Sequence, residues 1–580
     1  MTSMRWDREV DVVVIGAGAG GMAAAVTASI EGLSVLILEK TDRIGGSTAV
    51  SGGVVWAPAN SQTTAVGQPD TPERAMTYLA ATVGDATPKS LQQRFVESAR
   101  GMVDYFAKHS SLKFAARAVA PDYYPNRAGA ALGGRAMDPL EFDGRKLGKH
   151  FVELRDPMPQ FLVLGGMMVN TYDVKHLLAV TRSITSWRHG MRLVLRYFSD
   201  RVRGYHRGTR LLLGNALAGR LFHTVIERGI DYWLSASVHQ LHADENGVHG
   251  VNVAYKGELI NIRARCGVVV ATGGFPWNTE MRNRLYPKPS GPWSMSPTAN
   301  RGEGLQLAQS AGAVLGTGHA GPALWAPVSV HSQPDGTEVR YPHLVWDRAK
   351  PGLMAVNGKG QRFVNEATSY HEFVLAMHRS HQQEPTIPAY LVCDEDFINK
   401  WGLGLALPGG RPRKHLIRDG YLYKAPSLRE LARALNMDVS ALEASAAQFN
   451  EAARLGTDHA FGKGSDEYNR YLGDADHGPN PCLGPLARAP FYAIAVYPGD
   501  IGTALGIRCN EDSQALDAQG NPIGGLYVVG NDMHSVMGGH YPGAGITLGP
   551  ALTFGWLAGQ HLAQSVRHHP SASFNQLKEA

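Results

Sequence analysis

The chain has 580 residues, of which 44% are hydrophobic and only 18% are charged, and its formal net charge at pH 7 is +5. So small a charge on so long a chain argues against a nucleic-acid-binding protein. Glycine accounts for 67 residues, and high glycine with low charge excludes a disordered chain, a coiled coil and a collagen. This composition is typical of a globular enzyme whose backbone passes close to a bulky ligand.

The first forty residues have the pattern of a dinucleotide-binding unit. Val10–Ile15 is a short β-branched run that predicts a buried parallel strand, and Met22–Ile30 is Ala-rich and predicts a helix. Between them, residues 16–21 read G-x-G-x-x-G. Val35–Leu38 predicts a second buried strand, and Glu39 follows it. The complete unit in register is a much stronger signal than the glycines alone.

Each glycine of this pattern, and the acid that follows the second strand, has a physical role. Gly16 makes the tight turn, and Gly18 lets the backbone approach a pyrophosphate at the helix N-terminus. Gly21 lets the helix pack closely on the strand, and Glu39 is placed to accept hydrogen bonds from a ribose.

The segment after Glu39 favours FAD over NAD. Residues 40–53 form a second Gly/Ser-rich loop, which a flavin needs along its ribityl chain and ring. Gly267–Phe275 and Leu526–Asn531 predict two distant buried strands that complete a discontinuous flavin domain. No His precedes His109, so we expect FAD to be held non-covalently. The further residues predicted to line FAD are Lys40, Gly45, Gly46, Ser47, Thr48, Gly53, Ala271, Thr272, Gly273, Gly530, Asn531 and Leu548.

The cysteines give no sign of a metal or disulfide framework. There are 4, and none forms a C-x-x-C pair, so we predict no metal site and a reducing, cytoplasmic compartment, with membrane association left open. The N-terminus shows no charged-then-apolar leader. No uninterrupted apolar run reaches the length of about 18 residues that a membrane-spanning helix needs.

Four segments resemble a known superfamily, the flavoproteins grouped around fumarate reductase and succinate dehydrogenase. They are residues 10–53, the Ala-Thr-Gly-Gly strand at 271–274, residues 356–370 and residues 538–549. Within that superfamily the chain is most similar to the 3-ketosteroid Δ1-dehydrogenases. The resemblance covers most of the chain except about residues 150–215.

The resemblance implies roles for the candidate catalytic residues. Tyr370 stands where fumarate reductases carry an Arg that protonates the substrate, and where ketosteroid dehydrogenases carry their catalytic base. Tyr541 and Gly545 match the hydroxyl and the amide that bind the ketone oxygen, and two donors aimed at one oxygen stabilise an enolate. An accessory Tyr that hydrogen-bonds the base corresponds to Tyr123 or Tyr124, and we favour Tyr123.

The implied reaction is the 1,2-desaturation of a 3-ketosteroid. Tyr370 takes the proton from carbon 2, FAD takes hydride from carbon 1, and a quinone-like external carrier then accepts the electrons. One alternative is another cyclic ketone or, less favoured, a fumarate-like dicarboxylate. Another is a flavin-carrying regulatory or scaffold protein without turnover. A Tyr at position 370 suits a neutral ketone better than a dicarboxylate, which a permanently cationic Arg suits.

The predicted fold is α/β. A discontinuous Rossmann-type FAD-binding domain spans about 1–320 and 499–565, and an α+β catalytic domain of about 321–498 caps it. Residues 150–215 are predicted to be a mostly helical insertion, and residues 566–580 a loose tail.

Residues 182–210 contain eight Arg and one acid, Asp200, among aromatic and aliphatic residues. This pattern is typical of an amphipathic helix that lies on an anionic membrane. A solvated basic helix or a contact between subunits is the alternative, and the sequence does not indicate an oligomeric state.

Overall fold

The computed structural model describes residues 5–568. In this range the strands are β1 (Arg8–Ile15), β2 (Val35–Leu38), β3 (Val55–Trp56), β4 (Phe114–Ala116), β5 (Ala136–Pro139), β6 (Phe142–Asp143), β7 (Leu162–Val163), β8 (Met167–Met168), β9 (Arg210–Leu211), β10 (Asp231–Trp233), β11 (Ser237–Asp244), β12 (Gly247–Tyr255), β13 (Glu258–Val270), β14 (Ala323–Ser332), β15 (Glu338–Pro342), β16 (Leu353–Val356), β17 (Ala389–Cys393), β18 (Tyr423–Ala425), β19 (Phe491–Thr503), β20 (Gln514–Leu516) and β21 (Pro522–Val528).

The helices of the same range are α1 (Ala19–Ile30), α2 (Gly46–Ala49), α3 (Pro72–Thr82), α4 (Lys89–His109), α5 (Thr171–Leu178), α6 (Ile184–Val202), α7 (Leu213–Glu227), α8 (Thr279–Leu285), α9 (Glu303–Ser310), α10 (Tyr370–His381), α11 (Glu395–Lys400), α12 (Lys414–Arg418), α13 (Leu428–Ala434), α14 (Val439–Leu455), α15 (Glu467–Leu472) and α16 (Leu548–His568). Short 3-10 helices lie at Gly144–Glu153, Pro159–Phe161 and Gly530–Asp532.

The first sheet is built around parallel strands. Its main order is β10-β2-β1-β13-β12-β11, with β21 added to the C-terminal half of β13 and β20 paired to β21. β10, β2, β1, β13 and β21 run parallel, and β2 and most of β1 are apolar and buried, as expected for strands covered on both faces. The two distant strands predicted to complete the sheet therefore do so. β1 begins two residues earlier than predicted because Arg8 and Glu9 continue the pairing with β13.

The second sheet is antiparallel and has the order β15-β14-β19-β17-β16, with β18 also paired to β19. α10 packs on β14, and α13 and α14 cover the face near β18 and β16. The α/β fold with an α+β second region is thus as predicted. The domain bounds stay a prediction, and β19 extends across the predicted boundary at 498/499.

The insertion at residues 150–215 contains α5, α6 and the short hairpin of β7 and β8, and its strand β9 pairs with β6, which precedes the insertion. Met167, Val169, Leu193 and Tyr197 form a small apolar core of its own. Residues 569–580 of the predicted loose tail lie outside the described residues. In the described part of the chain, no helix is long and apolar enough to cross a membrane.

Candidate active site

The loop between β1 and α1 leaves a glycine-lined space at the helix N-terminus. An added Cβ at Gly16 would lie 2.3 Å from the Ala271 carbonyl oxygen, and one at Gly21 would lie 2.1 Å from the Gly16 oxygen, so both glycines serve close backbone packing. Gly18 differs, because an added Cβ there meets no protein atom within 4 Å. Gly18 also offers no side-chain cap to α1. The open side of Gly18 is therefore a place for a ligand phosphate.

The second Gly/Ser loop lies against this space. An added Cβ at Gly46 would lie 3.5 Å from the Gly18 Cα, so the two loops face each other closely. The Thr48 hydroxyl accepts a hydrogen bond from the Ala19 N–H at 3.0 Å. The Ser47 hydroxyl accepts one from the Asn300 amide at 3.1 Å. Gly45 precedes α2, and Gly53 packs on the backbone at 213–214.

Glu39 and Lys40 have partners within the protein. One Glu39 carboxylate oxygen accepts from the Ala17 N–H at 3.0 Å, and the other accepts from Thr41. This position fixes the carboxylate beside the glycine turn. Lys40 turns to Glu303 and to the Ala299 carbonyl instead.

The Ala271–Gly273 segment meets the C-terminal part of the sheet through Asp532, a buried residue that the sequence analysis did not single out. Its carboxylate accepts hydrogen bonds from the N–H groups of Thr272, Gly273 and Gly274. Burial raises the pKa of Asp532. Gly530, Asn531 and Asp532 form a 3-10 turn after β21, and Leu548 begins α16 nearby. The available signal was an acid four residues after the end of a buried strand.

The buried polar atoms of this region fit a bound dinucleotide. The hydroxyls of Ser296 and Thr503 are buried without a hydrogen-bond partner among the described residues. Thr503 and Asn531 line one small cavity together with the start of α16. Unpaired buried donors and acceptors are costly unless a ligand or water pairs with them. The Thr503 hydroxyl adjoins Gly274, directly after the predicted cofactor residues 271–273.

Four tyrosines from four distant segments form one buried cluster. The Tyr123 hydroxyl donates a hydrogen bond to the Tyr370 hydroxyl, with 2.9 Å between the oxygens. The Tyr541 ring stacks on that of Tyr123 with centroids 5.4 Å apart, and lies 5.1 Å from that of Tyr370. The fourth member, Tyr468, lies 4.7 Å from Tyr123. The structure therefore brings together Tyr123, Tyr370 and Tyr541, as the resemblance implied.

Tyr123 and Tyr124 point to different partners. The Tyr124 hydroxyl donates to the Glu372 carboxylate at 2.7 Å, whereas Tyr123 contacts Tyr370. The Tyr123 N–H donates to the Pro542 carbonyl at 2.9 Å, which ties its loop to the segment of Tyr541. Only Tyr123 therefore has the geometry of an accessory to Tyr370.

Gly545 presents an unused donor in the segment that also carries Tyr541. Its carbonyl accepts from the N–H groups of Trp56, at 3.1 Å, and Gly549, at 2.9 Å. Its own N–H has no acceptor within residues 5–568. Its φ is +94°, and an added Cβ would lie 2.6 Å from the Trp56 nitrogen, so no other residue fits here. Because Gly545 follows Tyr541 by four positions, this free N–H belongs to the same segment as the Tyr541 hydroxyl.

Burial dominates the electrostatics of the cluster. It raises the pKa of Tyr370 well above its ordinary value, with the neighbouring tyrosines adding to the rise. It raises the pKa of Tyr541 to about 12. His371, next to Tyr370 in the chain, is buried with its pKa lowered to about 3 and is therefore neutral. A neutral, aromatic site of this kind suits an uncharged ligand.

A buried ion-pair network supports the cluster from behind. Asp122 accepts from the Trp56 indole N–H at 2.9 Å and from Arg135 at 2.7 Å. Arg135 also binds Asp70 through two hydrogen bonds. Because Asp122 precedes Tyr123 and Trp56 holds Gly545, this network fixes both the accessory Tyr and the free N–H.

Tyr468 was missed by the sequence analysis. It lies in α15, and its buried hydroxyl has no hydrogen-bond partner in the described part of the chain. Burial raises its pKa, and the charge of Arg348 opposes the rise. No motif marks the residue, because only the folded chain brings α15 to Tyr123.

Comparison with known proteins decides the family. Residues 11–548 match the family described as FAD binding domain. A 3-oxosteroid 1-dehydrogenase of Mycobacterium tuberculosis (strain ATCC 25618 / H37Rv) is 35% identical over 568 residues, which cover 96% of this chain and 98% of that protein. The chain belongs to this family of flavoproteins. FAD is thus the cofactor of this protein, which is an oxidoreductase.

Two further relatives are named for substrates that differ from each other, one for a cyclohexenecarboxylate and one for a steroid. A 4-oxocyclohex-2-ene-1-carboxylate 5-dehydrogenase of Sinomonas cyclohexanicum is 37% identical over 558 residues, or 96% of this chain and 94% of that protein. A crystal structure of 3-ketosteroid Δ1-dehydrogenase from Sterolibacterium denitrificans, in complex with 1,4-androstadiene-3,17-dione, is 37% identical with a TM-score of 0.89. It covers 96% of this flavoprotein and 100% of its own chain. The resemblance stated from the sequence is therefore confirmed.

Proposed function

We propose that this flavoprotein removes one hydrogen from carbon 1 and one from carbon 2 of a 3-ketosteroid and yields the 1-ene-3-one. The observation that carries the proposal is the hydrogen-bonded pair of Tyr123 and Tyr370 packed against the ring of Tyr541. The named steroid relatives and the steroid complex of a similar enzyme support the substrate class.

The residues divide the reaction between two ends of the site. Tyr541 and the Gly545 N–H polarise the ketone oxygen and stabilise the enolate that forms when carbon 2 loses its proton. Tyr370 receives that proton, and Tyr123 stabilises the deprotonated Tyr370 by donating a hydrogen bond to its oxygen. Bound FAD supplies the acceptor for the hydride of carbon 1.

The predicted cofactor residues would hold FAD without a covalent bond. Gly18 and Gly46 bound the space for the pyrophosphate, and Glu39 lies at the ribose end of the β1–α1 unit. No His precedes His109, so the second Gly/Ser loop offers no His to link to the flavin.

The charges around the cluster favour a neutral ketone over a carboxylate. The two cations that act on the cluster, Arg117 and Arg348, already have partners. Arg117 binds Asp138 through two hydrogen bonds, and Arg348 donates to four backbone carbonyls. Neither is free for a carboxylate substrate. A smaller cyclic ketone remains the second candidate, because of the 37% identity to the cyclohexenecarboxylate enzyme.

Two partners complete the proposal. One is an external quinone-like carrier, which would accept the electrons of the substrate by way of bound FAD. Residues 182–210 contact an anionic membrane, where a poorly soluble steroid and a lipid quinone would both be available.

The test is anaerobic bleaching of the bound flavin by a panel of ketones. Androst-4-ene-3,17-dione and 5α-androstane-3,17-dione are compared with cyclohexanone and 4-oxocyclohexanecarboxylate at equal concentrations. Fast bleaching by the steroids alone is expected. Bleaching by the small ketones but not by the steroids would overturn the substrate proposal in favour of the second candidate.

A further inference from the structure

The outer face of α6 carries a continuous apolar stripe. Its members are separated by three or four residues, so at about 100° per residue they stay on one side of the helix. We call this set the α6 outer stripe: Ile184, Trp187, Met191, Leu195, Phe198 and Val202. Five of the six are exposed, with exposed fractions between 50% at Trp187 and 88% at Val202, and Met191 is half-buried.

The opposite face attaches α6 to the rest of the protein without help from the stripe. Leu193 and Tyr197 pack into the small core of the insertion. Asp200 is buried and accepts hydrogen bonds from Arg145 and from Thr209. The Tyr197 hydroxyl donates to the Leu164 carbonyl at 3.0 Å. Folding therefore does not explain the stripe, and a contiguous exposed apolar patch of this kind marks an interaction surface.

The arginines of residues 182–210 fall into two groups. Arg196, Arg207 and Arg210 form ion pairs with acids of the protein, and Arg201 donates to backbone carbonyls. The other four make no ion pair with any residue the structure describes and are exposed: Arg182, Arg188, Arg192 and Arg203. On the helix, the last three of these border one side of the α6 outer stripe.

These charges favour an anionic lipid surface over a second copy of the chain. Asp200 is the one acid of α6, and it faces inward to Arg145. Two stripes packed against each other would bring exposed arginines together with no acid from α6 to compensate them. A bilayer of anionic lipids offers phosphates to the arginines and acyl chains to the stripe, as in interfacial amphipathic helices.

We propose that α6 lies in the surface of an anionic bilayer, with its outer stripe among the acyl chains and Arg188, Arg192 and Arg203 on lipid phosphates. This extends the membrane contact proposed above from charge attraction to insertion. It rests on that part of the proposal and is independent of the substrate.

The experiment measures sedimentation of the FAD-loaded protein with phosphatidylglycerol vesicles. The variant Trp187→Glu/Phe198→Glu should partition at least about tenfold more weakly than the wild type, because it places two charges in the apolar layer. The control Leu259→Glu/Leu455→Glu changes two exposed apolar residues outside α6 and should bind like the wild type. Flavin content and flavin reduction by a dissolved ketone should be equal in all three proteins, which separates this test from that of the substrate.

Varying the salt concentration and the lipid composition tests the apolar stripe and the arginines separately. Binding to phosphatidylglycerol should persist in part at about 1 M salt, where charge attraction is screened within about 3 Å. Arg188→Gln/Arg192→Gln/Arg203→Gln should lower binding to phosphatidylglycerol vesicles and leave the weak binding to phosphatidylcholine unchanged. Complete loss of binding at high salt would overturn insertion. Absence of vesicle binding, with a dimer that Trp187→Glu/Phe198→Glu dissociates, would assign the stripe to a second copy instead.

Discussion

Replacing Tyr370 or Tyr541 by Phe should impair the reaction in different ways. Tyr370→Phe removes the hydroxyl of the proposed base, to which Tyr123 donates a hydrogen bond, and leaves the aromatic ring in place. General acid–base groups contribute about 10²–10⁴-fold, so we expect a loss near the upper end in flavin reduction and little change in steroid binding. The cost to folding should be small, about 0.5–1.5 kcal/mol for one hydrogen bond to Tyr123.

Tyr541→Phe removes one of the two donors proposed for the ketone oxygen, while the Gly545 N–H stays in place. Loss of one such donor typically costs about 10²–10³-fold. Because the same donor contacts the ketone before reaction, steroid binding should weaken as well. The dissociation constants for the steroid should therefore distinguish the two variants more clearly than their rates of flavin reduction.

The assay is anaerobic stopped-flow reduction of the flavin by androst-4-ene-3,17-dione, at several steroid concentrations. Burial holds the pKa of Tyr370 well above its ordinary value, so the wild-type rate should rise with pH through the neutral range as the deprotonated fraction grows. The Tyr370→Phe rate should not follow that rise. A Tyr370→Phe variant that keeps more than about a tenth of the wild-type rate would refute the assignment of the base.

Three further outcomes are expected. Tyr123→Phe should slow flavin reduction by at least about tenfold, while Tyr124→Phe, whose hydroxyl binds Glu372, should react like the wild type in the same assay; equal losses would contradict the assignment of the accessory. Gly18→Ala should leave the melting temperature of the FAD-free protein unchanged and weaken FAD binding in a titration, whereas Gly21→Ala should lower that melting temperature, because its Cβ would lie 2.1 Å from the Gly16 oxygen. Denaturation should release FAD into the supernatant, and flavin that stays with the precipitated chain would disprove non-covalent binding.

The local part of this fold was readable from the sequence, and the non-local part was not. β1, α1 and β2 follow one another between Arg8 and Leu38, so periodicity and glycine spacing identified them. The tyrosine cluster joins residues hundreds of positions apart, and only the resemblance to a family pointed to Tyr370 and Tyr541. Tyr468 has no motif and no resemblance to mark it, so only the fold shows that it belongs to the cluster.

The basic segment shows a second limit of sequence reasoning. Its excess of arginine was evident, but the acids that neutralise Arg196, Arg207 and Arg210 lie elsewhere in the chain. The two-residue strands around α5 and α6 were also missed, because so short a strand has no alternation to detect.

The position of Tyr370 makes catalysis conditional on how the two sheets sit together. Tyr370 begins α10, which packs on the antiparallel sheet, whereas Tyr123 and Tyr541 are joined through the Pro542 carbonyl on the other side of the site. A movement that parts the two regions to admit a large, flat ligand would break the 2.9 Å contact between the hydroxyls. In the proposed mechanism Tyr370 would then be separated from Tyr541, and the proton of a bound ketone could not reach it. We therefore expect turnover only of ligands over which the Tyr123–Tyr370 contact can form again.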